Sequence, residues 1–137
     1  MTTPPRPKLP IVCFILLGAT LFLGGLGTLG GGAYLFAHFP AGTPLYAVPV
    51  LALNGVLAWT LAVLSGLSAW KLARQTPKAR GLARVTWALV AGFALWTLLF
   101  DGLLGWSLGG ILEVLIWTVL EALLASHWVK TRRADRA

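Results

Sequence analysis

Charged residues are scarce in this sequence of 137 residues, of which 11% are Asp, Glu, Lys or Arg and 58% are hydrophobic. In soluble proteins about a quarter of the residues are charged, because polar side chains must cover the surface. The composition therefore excludes an ordinary soluble domain and indicates that lipid covers much of the protein. The length fits one domain, and we treat residues 1–137 as a single polytopic membrane domain with no soluble part.

Cysteine and histidine are also scarce, which limits redox and metal chemistry. Cys13 is the only cysteine, so the sequence has no pair for an internal disulfide. His38 and His127 are predicted to lie at opposite membrane faces, and a hydrocarbon core about 30 Å thick would separate them. No nucleophile and base occur at a recognisable catalytic spacing. We therefore predict no metal site, no cofactor and no enzymatic activity.

Four hydrophobic runs are each long enough to cross a bilayer as an α-helix, which takes about 20 mostly apolar residues. The connections between them are short, and the first contains two prolines and a glycine that oppose helix continuation. The sequence predicts an all-α fold, an integral membrane four-helix up-down bundle. The predicted spans are about 11–36, 45–70, 82–100 and 108–129.

Ten of the 11 Lys and Arg residues fall before the first run, between the second and third, or after the fourth, and Arg84 lies in the first turn of the third run. Since basic residues are retained on the cytoplasmic side, both termini and the central loop are predicted to be cytoplasmic. This distribution predicts contact with anionic lipid headgroups and no binding of nucleic acid. The abundance of Ala, Leu, Gly, Trp and Arg is typical of a prokaryotic plasma (inner) membrane protein.

An alternative for the first run is a cleaved signal peptide, because Arg6 and Lys8 precede it. The run is long for that purpose, and no good Ala-x-Ala site follows it. Cleavage would leave three helices with the same sidedness.

A glycine-rich segment lies inside the first predicted span, at residues 24–32. Small residues four apart let two membrane helices approach closely, and residues 18, 25 and 32 add a glycine every seven residues on nearly one face. Two interpretations remain open, which are packing within this bundle and a contact surface for another subunit. The predicted helix-packing glycines are Gly24, Gly27, Gly31 and Gly32.

Glu113 and Glu121 lie inside the fourth span, at a depth where carboxyl groups are costly and rarely face lipid. They share one half of the helix, about 12 Å apart along its axis. We expect them to face a polar stripe on the second helix that includes Asn54 and Ser65, with Asn54 as the partner of Glu113. Thr97 is a second candidate partner.

Two roles for this intramembrane polar site remain open. Neutral acids could hold the helices together as hydrogen-bond donors, or the two acids could form a relay for protons or cations. Arg84, or a water molecule near Ser65, could reach Glu121.

The small size, the absence of a soluble domain and the glycine-rich helix together predict an accessory, assembly or interaction subunit of a membrane complex. The alternative is a small proton- or ion-coupled transporter that acts through Glu113 and Glu121. Four helices enclose little lumen, so a transporter would require a homo-oligomer. An intramembrane enzyme acting on lipid is disfavoured, because the sequence has no convergent polar set.

Overall fold

The computed structural model describes the backbone of residues 8–104 and 108–136 and the side chains of residues 8–99 and 111–133. Arg6, part of the first predicted basic cluster, lies outside these ranges. The described backbone forms four α-helices and contains no strand, which confirms the prediction of an all-helical chain. The helices are α1 (Lys8–His38), α2 (Ala47–Ala73), α3 (Ala79–Leu104) and α4 (Leu108–Arg136).

All four helices are long and apolar enough to cross a membrane. By length and composition the chain is therefore a multi-pass membrane protein. The helices extend past the apolar runs at most ends, because a helix satisfies its backbone hydrogen bonds internally whatever surrounds it. The four candidate spans are Lys8–His38, Ala47–Ala73, Ala79–Leu99 and Ile111–Arg133.

The helix ends follow from local backbone chemistry. Pro49 lies in the first turn of α2, where the missing N–H leaves no helical hydrogen bond unmade. In the turn between α1 and α2, Gly42 adopts a φ of +86°, which glycine tolerates without a steric penalty. At the end of α2, Gln75 has a φ of 55°, and the Thr76 N–H donates to the Lys71 carbonyl at 3.2 Å. This is a Schellman ending, which turns the chain toward α3.

The helices form a closed ring in which each contacts two others. α1 packs against α2 and α4, and α3 packs against the same two helices. Within the described ranges, the backbones of α1 and α3 are not in contact, nor are those of α2 and α4. The interior is filled by large side chains that are fully or almost fully buried: Phe14, Leu17, Leu21, Val90, Trp117 and Leu124.

Candidate functional site

Three glycines of α1 bring its backbone against α2. A methyl group added to Gly18 would lie 3.3 Å from the carbonyl oxygen of Ala62, and one on Gly25 would lie 3.3 Å from that of Gly55. A methyl group on Gly32 would lie 3.4 Å from the Cβ of Leu51. The glycines that repeat every seven residues therefore form the α1–α2 interface, where the absence of side chains permits close approach.

The indole of Trp59 fills the space that Gly25 leaves open. A methyl group on Gly25 would overlap the indole, so the ring can occupy this position only beside a glycine. The Trp59 indole N–H donates a hydrogen bond of 3.2 Å to the carbonyl oxygen of Phe22, and the two rings stack at 5.7 Å. Trp59 thus connects α2 to α1 by two interactions, the hydrogen bond of its indole N–H and the stacking of its apolar ring.

Gly24 faces α4 and contacts Glu113. A methyl group on Gly24 would lie 3.2 Å from both carboxyl oxygens of Glu113. The backbone carbonyl of Gly24 also accepts a hydrogen bond of 2.8 Å from the Thr28 hydroxyl. The glycine-rich segment and the first intramembrane acid, which the sequence presents as separate features, therefore meet at one point of the α1–α4 interface.

Asn54 is buried on α2 and accepts a hydrogen bond from α3. The indole N–H of Trp96 donates to the Asn54 side-chain oxygen at 2.7 Å. The donor to the Asn54 oxygen is thus Trp96, and the predicted pairing of Asn54 with Glu113 stays a prediction. The side-chain hydroxyl of Thr97, the second predicted partner, is buried and has no hydrogen-bond partner in the described part of the chain.

Glu121 and Ser65 are buried polar residues on α4 and α2. Glu121 is 7% exposed and Ser65 is 0% exposed. Among the described residues, neither the two carboxyl oxygens of Glu121 nor the hydroxyl of Ser65 has a hydrogen-bond partner. Buried polar groups almost always have one, because an unmade hydrogen bond costs about 1–3 kcal/mol. Arg84, named as a possible partner of Glu121, is exposed.

Hydrogen bonds around Glu121 tie the helices together. The indole N–H of Trp87 donates to the backbone carbonyl of Glu121 at 3.0 Å, and the hydroxyls of Ser68 and Thr86 are 3.0 Å apart. One turn away on α4, the indole N–H of Trp117 donates to the Thr20 hydroxyl at 3.2 Å. These bonds fix three of the four interfaces at the level of Glu121.

Gly27 and Gly31, both predicted to pack helices, lie on the outer side of α1. Both are exposed, and a methyl group on either would meet no atom of the described residues within 4 Å. Gly30 is equally open. Of the four glycines predicted to pack helices, Gly24 faces α4 and Gly32 faces α2, while Gly27 and Gly31 face away from the bundle.

Sequence reasoning did not find the tryptophans that link the helices. Trp96 lies three residues before the end of the span Ala79–Leu99. Trp59 and Trp117 lie well inside their spans, whereas membrane tryptophans concentrate at the interfaces. This unusual depth was a signal, since an indole N–H in the apolar region needs an acceptor from the protein. Each of the three donates to a neighbouring helix.

The described side chains include no group of three or more His, Cys, Asp or Glu residues able to hold a metal ion. Comparison with known proteins adds no assignment: no family model, curated protein or solved structure matches the chain.

Proposed function

We propose that this chain is an accessory or assembly subunit that binds a transmembrane helix of another membrane protein on the outer face of α1. The observation that carries the proposal is the open face formed by Gly27, Gly30 and Gly31, which no part of the described chain covers. We call these three residues the outer glycine face. A catalytic role is not part of this proposal.

We expect a helix to bind the outer glycine face, because glycines on the opposite side of α1 already pack closely against a helix, α2. On its other side, Gly18, Gly25 and Gly32 admit the backbone of α2. In lipid, helices associate through van der Waals packing rather than through a hydrophobic driving force, and small residues maximise that packing. The outer glycine face offers a second helix the same close approach.

The proposed orientation is an up-down bundle in a prokaryotic plasma membrane, with both termini and the α2–α3 loop cytoplasmic. It is supported by the paired contacts of α1 with α2, in which residue numbers rise along one helix as they fall along the other: Gly18 with Ser65, and Gly32 with Leu51. The positions of the 11 Lys and Arg residues support the sidedness. Lys78, Arg80 and Arg133 would then contact anionic lipid headgroups.

Affinity purification from native membranes in mild detergent, followed by mass spectrometry, tests the proposal. We expect a stoichiometric foreign membrane protein with the wild type and its loss with Gly31→Leu, because a leucine side chain on the outer glycine face blocks close approach. Gly92→Leu is the matched control, since Gly92 on α3 is also exposed and open. Recovery of the chain alone, or equal loss with both variants, would contradict the proposal.

A second candidate function is a proton- or ion-coupled transporter that works as a homo-oligomer through Glu113 and Glu121. The observation in its favour is the buried carboxyl group of Glu121, to which no other described residue offers a hydrogen bond. Intramembrane acids often mark ion pathways. Purification of a defined homo-oligomer without a foreign partner, together with a loss of proton flux in proteoliposomes on Glu121→Gln, would favour this candidate over the first.

A further inference from the structure

Glu121 and Ser65 are buried on two helices that lie across the bundle from each other. Both residues belong to the buried faces of their helices, α4 and α2, and these two helices are not in backbone contact. Each packs against α1 and α3 instead. The buried faces of α2 and α4 therefore border the same interior, which the four helices enclose.

The two residues also lie at nearly the same depth. On α1, Gly24 faces Glu113, and the Thr20 hydroxyl accepts a hydrogen bond from Trp117. A step of four residues back along α1 therefore corresponds to a step of four residues forward along α4. One further turn brings Glu121 to the level of Leu16. Gly18 faces Ser65, with 3.7 Å to its Cβ. The difference of two residues corresponds to about 3 Å along the axis.

Two hydrogen bonds made by α3 independently place Glu121 and Ser65 at the same depth. Trp87 donates to the backbone of Glu121, and its neighbour Thr86 is hydrogen-bonded to Ser68, which lies one turn from Ser65. Ser65, Ser68, Thr86 and Glu121 are thus buried polar residues in one layer of the bundle. Apolar side chains with no exposed surface adjoin this layer, among them Leu17, Val90 and Leu124.

Three oxygens in this layer have no hydrogen-bond partner among the described residues. Ser68 donates to the carbonyl of Leu64 at 2.8 Å, so its hydrogen bonds are made. The Ser65 hydroxyl and both Glu121 oxygens have none within the described chain. Water satisfies such groups where two to four polar atoms converge.

We propose that Glu121 and Ser65 form a proton-binding site at the centre of the bundle, in which water bridges the carboxyl group and the hydroxyl. Protonation moves one proton from hydronium in this water to a carboxylate oxygen and leaves a neutral carboxyl group and water. The neutral acid donates to the bridging water, which donates in turn to Ser65. This site goes beyond the proposed subunit role and does not depend on the outer glycine face.

Few charged or titratable groups face Glu121 from the neighbouring helices. On α1 the nearest is Cys13, which is buried, and on α3 it is Arg84, which is exposed. Residues 55–70 of α2 contain no titratable side chain. On α4 itself, Glu113 and His127 are each more than one turn away. No cation among the described side chains lies in the layer to hold Glu121 as a charged pair.

The site can be observed directly, because Glu113 and Glu121 are the only glutamates in the sequence. In proteoliposomes of the full chain carrying carboxyl-¹³C glutamate, solid-state NMR shows two carboxyl signals, and Glu121→Gln assigns them. If that variant does not fold, Glu113→Gln removes the other signal, and the signal that remains belongs to Glu121.

We expect the Glu121 signal to receive magnetisation from water and to change between its acid and carboxylate positions as pH is varied. Ser65→Ala should shift this signal, and Ser126→Ala, at an exposed position on α4, should leave it unchanged. Absence of water contact, a signal constant over the whole pH range of the folded protein, or indifference to Ser65→Ala would overturn the proposal. A signal that follows Na⁺ concentration at fixed pH would also overturn it, by assigning the site to a metal cation.

Discussion

The carboxyl group of Glu113 occupies the space beside Gly24, where a methyl group would lie 3.2 Å from both carboxyl oxygens. Such a separation is tighter than ordinary van der Waals contact, so any larger residue at position 24 must displace the acid or part α1 from α4. Glycine is therefore required at position 24 because the Glu113 carboxyl group lies beside it. Substitution by alanine, which adds one methyl group, tests this requirement.

Gly24→Ala should lower the free energy of unfolding. Overpacking of a close contact costs about 1–3 kcal/mol, and the higher helix propensity of alanine returns up to about 1 kcal/mol. We expect a net loss of about 1 kcal/mol, measured by reversible unfolding in mixed micelles.

Two comparisons isolate the contact from general effects of the substitution. Gly27→Ala, where a methyl group meets nothing within 4 Å, should be neutral or slightly stabilising. In the background of Glu113→Ala, Gly24→Ala should lose its penalty, since the group that it collides with is gone. Equal penalties in both backgrounds would show that the collision is not with Glu113.

Trp96→Phe should destabilise the α2–α3 interface, because it leaves the buried oxygen of Asn54 without its donor. Hydrogen bonds between membrane helices contribute about 0.6 kcal/mol on average and up to about 1.7 kcal/mol, and this one is short at 2.7 Å. We expect a loss of about 1 kcal/mol in the same unfolding measurement. Trp70→Phe is the control, because Trp70 is exposed and its ring-stacking with Arg74 survives the change. Similar losses for both variants would rule out a specific role for the hydrogen bond.

The four helices were predictable because the membrane simplifies the problem. A run of about 20 apolar residues has no stable alternative to a helix in lipid, and the glycines at 18, 25 and 32 share a face by helical periodicity alone. Both inferences rest on properties of a single helix, its length and its periodicity. They therefore did not depend on how the helices are arranged around one another.

The partners of the polar residues could not be predicted, because they depend on the rotation and offset of neighbouring helices. Asn54 and Glu113 were placed at similar depth, but depth does not reveal that the Trp96 indole reaches the Asn54 oxygen from the adjacent helix. Gly24 and Gly27 are three residues apart, and only the position of α4 decides that the first contacts an acid while the second faces outward. Periodicity contains no information on this choice.

Gly25→Ala should expel the Trp59 indole from the α1–α2 interface. The added methyl group overlaps the ring, so the hydrogen bond to Phe22 and the stacking contact must be lost together. We expect a larger loss of stability than for Gly24→Ala, about 2–3 kcal/mol by the overpacking scale. Gly30→Ala, at an open position of the same helix, should have little effect.

Removal of the ring tests whether Trp59 is the cause of that loss. Gly25→Ala combined with Trp59→Ala should be no less stable than Trp59→Ala alone, because the methyl group then has room. An additive loss in the double variant would mean that Gly25 is required by the nearby carbonyl of Gly55 instead, which lies 3.3 Å from the same methyl position.

The proposed orientation predicts opposite labelling of the two loops that join α1 to α2 and α2 to α3. In a Cys13→Ala background, Ala41→Cys should react with a membrane-impermeant maleimide in intact cells, and Pro77→Cys should react only after the membrane is opened. Both positions are exposed, so access through the membrane, not burial, decides the result. The physical basis is the retention of Lys71, Arg74 and the other basic residues near Pro77 on the cytoplasmic side. If only Pro77→Cys reacted in intact cells, the orientation would be the reverse of the proposed one. If both positions reacted, α2 would not span the membrane.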